Sequence, residues 1–424
     1  KVAGALTVVW EDREIPVPQL LPHLESQDRQ TRERAWRTYF SPYISKRDEL
    51  ADIFDELVRL RGSVALNAGF ENYRDYAHRE KNRFDYTPAD CVRWQDSVEQ
   101  VVVPAVVELR ARRRSAMGLE SLRPWDLDND PYGHTPLRPF EDIAGLTGGV
   151  ARIFSELEPS LAAEFQIMID EGLLDLGSRK GKAPGGYCNS YPASRRPIIF
   201  MNAAGVHGDV KTLLHEAGHA FHCFEWFNIQ PSFQRHPGSE MCEVASMTME
   251  LLAGPYLARD RGGFYTEEEA GRARADHLEE VLTILTHIAA VDGIQQWIYT
   301  NPAGADRDAR EAEWIRLRER FDQGVDWSGL RPQRVARWYS QPHFFINPFY
   351  YIEYGLAQLA AVQIWRKSLE DPAGTLAGYR RALALGATKS LPELYAAAGA
   401  KLVFDPDEMG ALVEFVQEQI AAAG

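Results

Sequence analysis

Apolar residues recur every three to four positions along most of the chain, and this spacing predicts a largely helical protein. Leu50, Phe54 and Leu57, for example, share one helix face because an α-helix has about 3.6 residues per turn. Ser41-Pro42 predicts a break before this helix. The same spacing predicts helices in segments 98–109, 278–298, 356–364, 392–398 and 408–423.

Few segments have the pattern of a β-strand. An alternating run from Leu6 to Pro18 predicts a hairpin, and Ile198 to Met201 form a short apolar run between polar turns that predicts a strand. The chain has no internal repeat and no low-complexity linker. We therefore expect a mainly α protein with a small β-sheet, organised as a single catalytic domain over residues 1–424 with its chemistry at about 180–360.

Composition excludes several classes of function. The net charge is −14, which disfavours nucleic acid and anionic membranes as partners. No stretch approaches the roughly 18 uninterrupted apolar residues of a membrane span, and no signal peptide is visible. The four cysteines are scattered, which is typical of a reducing compartment and predicts a cytoplasmic protein.

The segment His215-Glu216-Ala217-Gly218-His219 has the spacing of a metal site. Two histidines four residues apart project from one helix face, so both can reach one Zn²⁺ ion, and Glu216 can take a proton from a water beside it. Asp209 is a candidate N-cap of this helix. An apolar stripe lies on the helix face opposite the histidines and comprises Val210, Leu213, Leu214, Ala217 and Phe221.

A third zinc ligand is expected from a second element, because three turns of one helix do not easily surround a tetrahedral ion. His222, one turn beyond His219, is therefore interpreted as a neighbour of the site. The segment from Glu240 to Leu252 predicts a helix that returns to the first. Glu240 and Glu243 could each supply the ligand, and their spacing does not separate them.

With Glu243-Val244-Ala245-Ser246-Met247 downstream of the histidine pair, the chain resembles the oligoendopeptidase F branch of the thimet oligopeptidase family of zinc metallopeptidases. The resemblance implies that His215, His219 and Glu243 hold one Zn²⁺ per chain. It also implies that Glu250 holds a ligand histidine from outside the metal shell, a role that fixes the tautomer of the ring.

The resemblance continues on both sides of the motif. Upstream, Gly185-Gly186-Tyr187-Cys188 and Arg196–Asn202 resemble the family's strand region. Gly185 and Gly186 are candidate substrate contacts there, because an exposed strand edge could bind an extended peptide, and an ordinary buried strand with no ligand role is the alternative. Downstream, residues 343–354 resemble the family's substrate-binding segment. This implies His343 and Tyr351 as donors to the oxyanion and Tyr350 and Tyr354 as substrate contacts, with Tyr350 able to exchange roles with Tyr351. Asn347-Pro348-Phe349 departs from the Gly-rich stretch of thimet-type members.

The family's fold and activity follow as expectations. We expect a prolate helical zincin-like peptidase with a deep channel that admits short unfolded peptides. We expect no obligate protein partner. Family members usually carry a further N-terminal helical segment, so this chain is expected to be a short form. Two alternatives remain open, namely a metallocarboxypeptidase of the same helical type and a catalytically silent peptide-binding form.

Overall fold

The computed structural model describes residues 2–183 and 185–423, and most of these residues are helical. In chain order the α-helices are α1 (Leu21–Leu24), α2 (Arg29–Ser45), α3 (Arg47–Asn67), α4 (Tyr73–Glu80), α5 (Pro88–Ser97), α6 (Val103–Ala116), α7 (Ile143–Leu157), α8 (Pro159–Asp170), α9 (His207–Trp226), α10 (Ser239–Ala253), α11 (Glu267–Thr300), α12 (Arg307–Phe321), α13 (Arg331–Tyr339), α14 (His343–Ile346), α15 (Tyr351–Ser368), α16 (Pro372–Leu383), α17 (Leu391–Ala398) and α18 (Pro406–Ala423). The strands are β1 (Thr7–Trp10), β2 (Arg13–Pro16), β3 (Leu174–Gly177), β4 (Tyr187–Tyr191) and β5 (Arg196–Ala203).

The predicted helices and strands are confirmed with one correction. Every segment with helical spacing lies in a helix, although Val98–Val102 form a π-helical turn before α6. The predicted break at Ser41-Pro42 is wrong, because α2 continues through Pro42 to Ser45. Pro42 has no N–H to donate to the carbonyl oxygen of Thr38, and that oxygen instead accepts a hydrogen bond from the Ser41 hydroxyl at 2.9 Å. None of the described helices has the length and apolar character needed to cross a membrane.

The predicted hairpin is β1 paired with β2, with Thr7 opposite Pro16 and Trp10 opposite Arg13. Its two turn residues, Glu11 and Asp12, have positive φ values of 49° and 61°, which a two-residue hairpin turn of the right twist requires. The predicted strand lies within β5, the central strand of a sheet with the order β3-β5-β4. β3 is parallel to β5 and β4 is antiparallel to it, which leaves β4 at one edge.

The chain forms two compact units. The first comprises Lys1–Pro136, Val281–Gly355 and Phe404–Val413, and its interior is rich in tryptophan. There the Trp36 ring lies 5.7 Å from that of Trp125 and 5.9 Å from that of Trp327. The second comprises Leu137–Glu280, Leu356–Val403 and Glu414–Gly424.

The second unit is built around α9 and its sheet. α9 packs against β4 and β5 on one side and against α10 on another. The predicted apolar stripe of α9 is almost fully buried, and Phe221 contributes to a cluster with Phe154. Burial of this stripe leaves the opposite face of α9, which carries His215 and His219, turned toward α10.

Candidate metal centre and active site

The start of α9 is set by a carboxylate in its first turn. One oxygen of Asp209 accepts hydrogen bonds from the backbone N–H groups of Ala204, Gly205 and Val206, at 2.8, 2.7 and 3.0 Å. Asp209 is therefore not the N-cap as predicted, because the helix begins at His207 and Asp209 folds back on the preceding turn. These bonds stabilise the turn between β5 and α9.

Three side chains from α9 and α10 converge on one point. Oε2 of Glu243 lies 3.3 Å from Nε2 of His215 and 3.5 Å from Nε2 of His219. The three ligand atoms lie within 4.8 Å of one another. A tetrahedral zinc ion with bonds of about 2.0–2.1 Å has its ligand atoms about 3.3–3.4 Å apart. The donor set and its spacing therefore fit Zn²⁺, and Glu243 rather than Glu240 is placed to complete it.

The close approach of the two helices depends on a glycine. A Cβ atom on Gly218 would lie 2.6 Å from the backbone oxygen of Ala245 and 2.7 Å from the Cα of Ser246. Only glycine therefore permits this crossing. Ser246 in turn donates a hydrogen bond to Oε2 of Glu243 at 2.9 Å, which orients the carboxylate toward the histidines.

Glu250 contacts His215 at Nδ1, the ring nitrogen that does not face Glu243. Its Oε1 lies 2.7 Å from Nδ1 of His215, and its Oε2 lies 3.1 Å from Nε2 of His277. Burial acts to raise the pKa of Glu250, but the hydrogen bonds from His215 and His277 hold that pKa below its usual value. An ionised Glu250 accepts a hydrogen bond from Nδ1–H of His215, which leaves the Nε2 lone pair for a metal ion.

Glu216 lies beside the three ligands with an oxygen available for chemistry. The side chain is buried, and its Oε2 has no hydrogen-bond partner among the described residues. Burial raises the pKa of the Glu216 carboxyl above its usual value. Gly186 lies against the other carboxylate oxygen of Glu216, since a Cβ atom at Gly186 would lie 3.2 Å from Oε1. A carboxylate with a raised pKa and an unused oxygen suits a general base.

The exposed strand β4 lies next to Glu216. Tyr187 and Tyr191 on this strand are about half exposed, and Asn189 between them is exposed as well. Gly185, just before the strand, has a φ of 93°, and its carbonyl oxygen accepts a hydrogen bond from Asn202. The structure thus places Gly186 against the Glu216 carboxylate, and Gly185 precedes it by one residue, just before the edge strand.

The downstream residues form an aromatic cluster within the first unit. The His343 ring lies 5.9, 5.0 and 6.0 Å from the rings of Tyr350, Tyr351 and Tyr354. The amide of Gln341 donates to the Tyr351 hydroxyl at 2.5 Å and lies 3.1 Å from Nδ1 of His343. Burial raises the pKa of the Tyr351 phenol, so its proton stays available for donation.

Comparison with known proteins decides the family. The sequence model of Peptidase family M3 matches residues 23–407, which include every residue of the site. The chain belongs to peptidase family M3.

Individual relatives place this M3 chain in the oligoendopeptidase F branch, as the sequence resemblance predicted. Oligopeptidase PepF of Bacillus subtilis (strain 168) is 22% identical over 96% of this chain and 59% of that protein. Oligoendopeptidase F, chromosomal, of Lactococcus lactis subsp. cremoris is 22% identical over 89% of this chain and 61% of that protein. This chain therefore spans about three fifths of the length of the curated relatives it matches.

A solved structure supports the same fold. PZ peptidase A with inhibitor 2 is 30% identical, and its match covers 100% of this chain and 74% of that one, with a TM-score of 0.94. The mainly α, zincin-like fold with a small sheet beside α9 is thereby confirmed for this M3 chain.

Two residues that contact candidate site residues, His277 and Gln341, were not found from the sequence, and a third, His222, was only interpreted as a neighbour. His277 has no motif around it, and only the fold brings it to Glu250. Gln341 precedes His343 by two residues, so its proximity was a signal that could have been used. His222 was interpreted as a neighbour of the site. It is buried against Trp226 at a ring distance of 4.6 Å, and neither of its nitrogens has a partner among the described residues.

Proposed function

We propose that this chain is a zinc-dependent oligoendopeptidase that hydrolyses internal amide bonds of short unfolded peptides. The observation that carries the proposal is the convergence of His215, His219 and Glu243, with Glu216 buried beside them. A bound Zn²⁺ ion would lower the pKa of a water molecule and polarise the scissile carbonyl. His215, His219 and Glu243 would hold it, one ion per chain.

We assign the remaining steps to five further residues. Glu216 accepts a proton from the attacking water and passes it to the leaving amine. Burial raises the pKa of its carboxyl, which makes the carboxylate a stronger proton acceptor. His343 or Tyr351 donates a hydrogen bond to the oxyanion, a contribution of about 3–4 kcal/mol for one well-placed donor. Tyr350 and Tyr354 are assigned to contacts with the substrate.

The edge of the sheet suits an extended peptide. β4 is an edge strand, so a peptide can add to it through main-chain hydrogen bonds that do not depend on sequence. Gly185 and Gly186 have no side chains to obstruct that approach near Glu216. We therefore assign short peptides as the substrate class. In the same proposal the protein is cytoplasmic, which its sparse, scattered cysteines support. Its net negative charge supports the absence of nucleic acid and membrane partners, and no obligate protein partner is proposed.

The test uses a mixed pool of short peptides analysed by mass spectrometry. The zinc-loaded protein should make internal cuts, and both chelator treatment and the Glu216→Gln variant should remove them. The variant should retain stoichiometric zinc while kcat falls by about 10²–10⁴, because general-base catalysis is lost and the ligands are not.

Other results would replace the proposal. Stepwise loss of C-terminal residues would identify a metallocarboxypeptidase. An absence of cleavage with zinc still bound would identify a peptide-binding form. Normal cleavage by the Glu216→Gln variant would exclude Glu216 as the base.

A further inference from the structure

One carboxylate in the second unit is shared by two histidines. Glu250 uses Oε1 for His215 and Oε2 for His277, at 2.7 and 3.1 Å. All three side chains are largely buried, with relative exposures of 19%, 11% and 14% for His215, Glu250 and His277. Water therefore cannot easily replace either contact, and the geometry of each histidine depends on the carboxylate between them.

The chemistry of the trio is directional. An ionised carboxylate only accepts hydrogen bonds, so both rings must donate to it. His215 then donates from Nδ1 and keeps the Nε2 lone pair, which faces Glu243 and His219. A carboxylate held by His215 alone could still rotate about its last side-chain bond, since that torsion is soft. The second bond from His277 removes this freedom and fixes the plane of Glu250.

The position of His277 is itself fixed by the rest of α11. Glu280, one turn further along α11, forms an ion pair with Lys211 of α9. Residues three apart on a helix lie on one face, so His277 and Glu280 share a face of α11. The ion pair of Glu280 therefore holds this face against α9, the helix that carries His215. Two sets of polar contacts therefore connect α11 with α9. One is the ion pair of Glu280 with Lys211, and the other passes through Glu250 of α10, which contacts both His277 and His215.

We propose that His277 is a positioning residue for the metal centre, which acts through Glu250 to fix the donor nitrogen of His215 and thereby strengthens zinc binding. This inference rests on the proposed zinc site and extends it to a side chain that touches neither metal nor substrate. Loss of an outer-shell partner lowers metal affinity by about 10–100-fold. His277 contacts Glu250 and not the proposed ligand His215 itself. Its loss is therefore expected to lower zinc affinity by about the lower end of that range.

Two substitutions at this position separate hydrogen bonding from packing. The amide nitrogen of glutamine reaches about as far from Cα as Nε2 of histidine, whereas that of asparagine reaches only as far as Nδ1. Because the contact to Glu250 is made by Nε2, His277→Gln can restore it and His277→Asn cannot. His277 also borders a cavity of about 370 Å³, so either shorter side chain is accommodated without overpacking.

Zinc affinity is measured by competition with a coloured chelator, together with the unfolding temperature of each variant. We expect His277→Asn to bind zinc about 10-fold more weakly and His277→Gln to bind within about twofold of the unaltered protein. The Co²⁺-loaded forms provide a second measurement. The visible absorption bands should shift in the asparagine variant and not in the glutamine variant, because the His215 ring loses its fixed orientation only in the former.

Each alternative outcome has one meaning. If His277→Asn binds zinc as tightly as the unaltered protein, the inference is overturned while the proposed zinc site stands. If both variants weaken zinc binding equally with a common fall in unfolding temperature, His277 is a packing residue and the inference is also overturned. If the unaltered protein binds no zinc, the proposed function fails and this inference fails with it.

Discussion

A tyrosine hydroxyl can accept one hydrogen bond while it donates another, and Tyr351 is arranged for this. Gln341 donates to its oxygen at 2.5 Å, which occupies a lone pair and leaves the phenolic proton free to point elsewhere. Burial raises the pKa of the phenol, so the proton is retained throughout the physiological pH range. The hydrogen bond from Gln341 supports Tyr351 as the proposed oxyanion donor.

Removal of this hydroxyl should therefore affect the chemical step. We expect Tyr351→Phe to lower kcat by about 10²–10³, the usual effect of losing one oxyanion donor, with zinc content unchanged. Steady-state kinetics on a peptide cut by the unaltered protein would measure the change. The matched controls are Tyr350→Phe and Tyr354→Phe, each of which removes a hydroxyl from the same cluster. A larger fall in kcat for either control would transfer the donor role to that residue.

At the scale of elements, the site depends on how closely α9 and α10 cross. Gly218 lies at the crossing point, where a Cβ atom would meet the backbone of Ala245 and Ser246 at 2.6–2.7 Å. Backbone atoms cannot move aside as a flexible side chain could. The distance between the histidines on α9 and Glu243 on α10 is therefore set by the absence of one methyl group.

The Gly218→Ala variant should push the two helices apart. We expect the free energy of unfolding to fall by about 1–3 kcal/mol, as in other overpacked interiors. Zinc affinity should fall as well, because Glu243 moves with α10. Gly208→Ala is the control, since a Cβ there would meet only Val206 at an ordinary 3.9 Å. Denaturant unfolding and chelator competition measure both effects, and unchanged zinc affinity in Gly218→Ala would contradict the argument.

The sequence predicted the elements better than it predicted their contacts. The HExxH spacing placed His215 and His219 on one helix face because helical geometry is local. Spacing alone left Glu240 and Glu243 equivalent, and only family resemblance and then the crossing of α9 and α10 separated them. His277 was missed because its proposed role depends on α11 meeting α10. Local periodicity predicts each helix but carries no information on which helices meet.

At the scale of the whole molecule, the sequence predicted a single catalytic domain over residues 1–424, a prediction that the division into two compact units leaves to experiment. All three proposed zinc ligands lie in the second unit, which contains roughly half of the chain. A ligand that binds only the folded state stabilises the part of the protein that unfolds cooperatively with the ligand's site. Zinc can therefore report how much of the molecule unfolds cooperatively.

Zinc at 100 times its Kd should stabilise the folded protein by about 2.7 kcal/mol. At about 2.1 cal/mol/K of unfolding entropy per residue, this raises the Tm by about 3 °C if all 424 residues unfold together. The shift becomes about 6 °C if the second unit unfolds alone, because the same free energy acts on about half the entropy. We expect the smaller shift with a single transition, as the single-domain prediction requires. Calorimetry with and without zinc would measure it, and Glu243→Ala, which lacks a ligand, should show much the smaller response. Two transitions of which only one responds to zinc would show instead that the two units unfold separately.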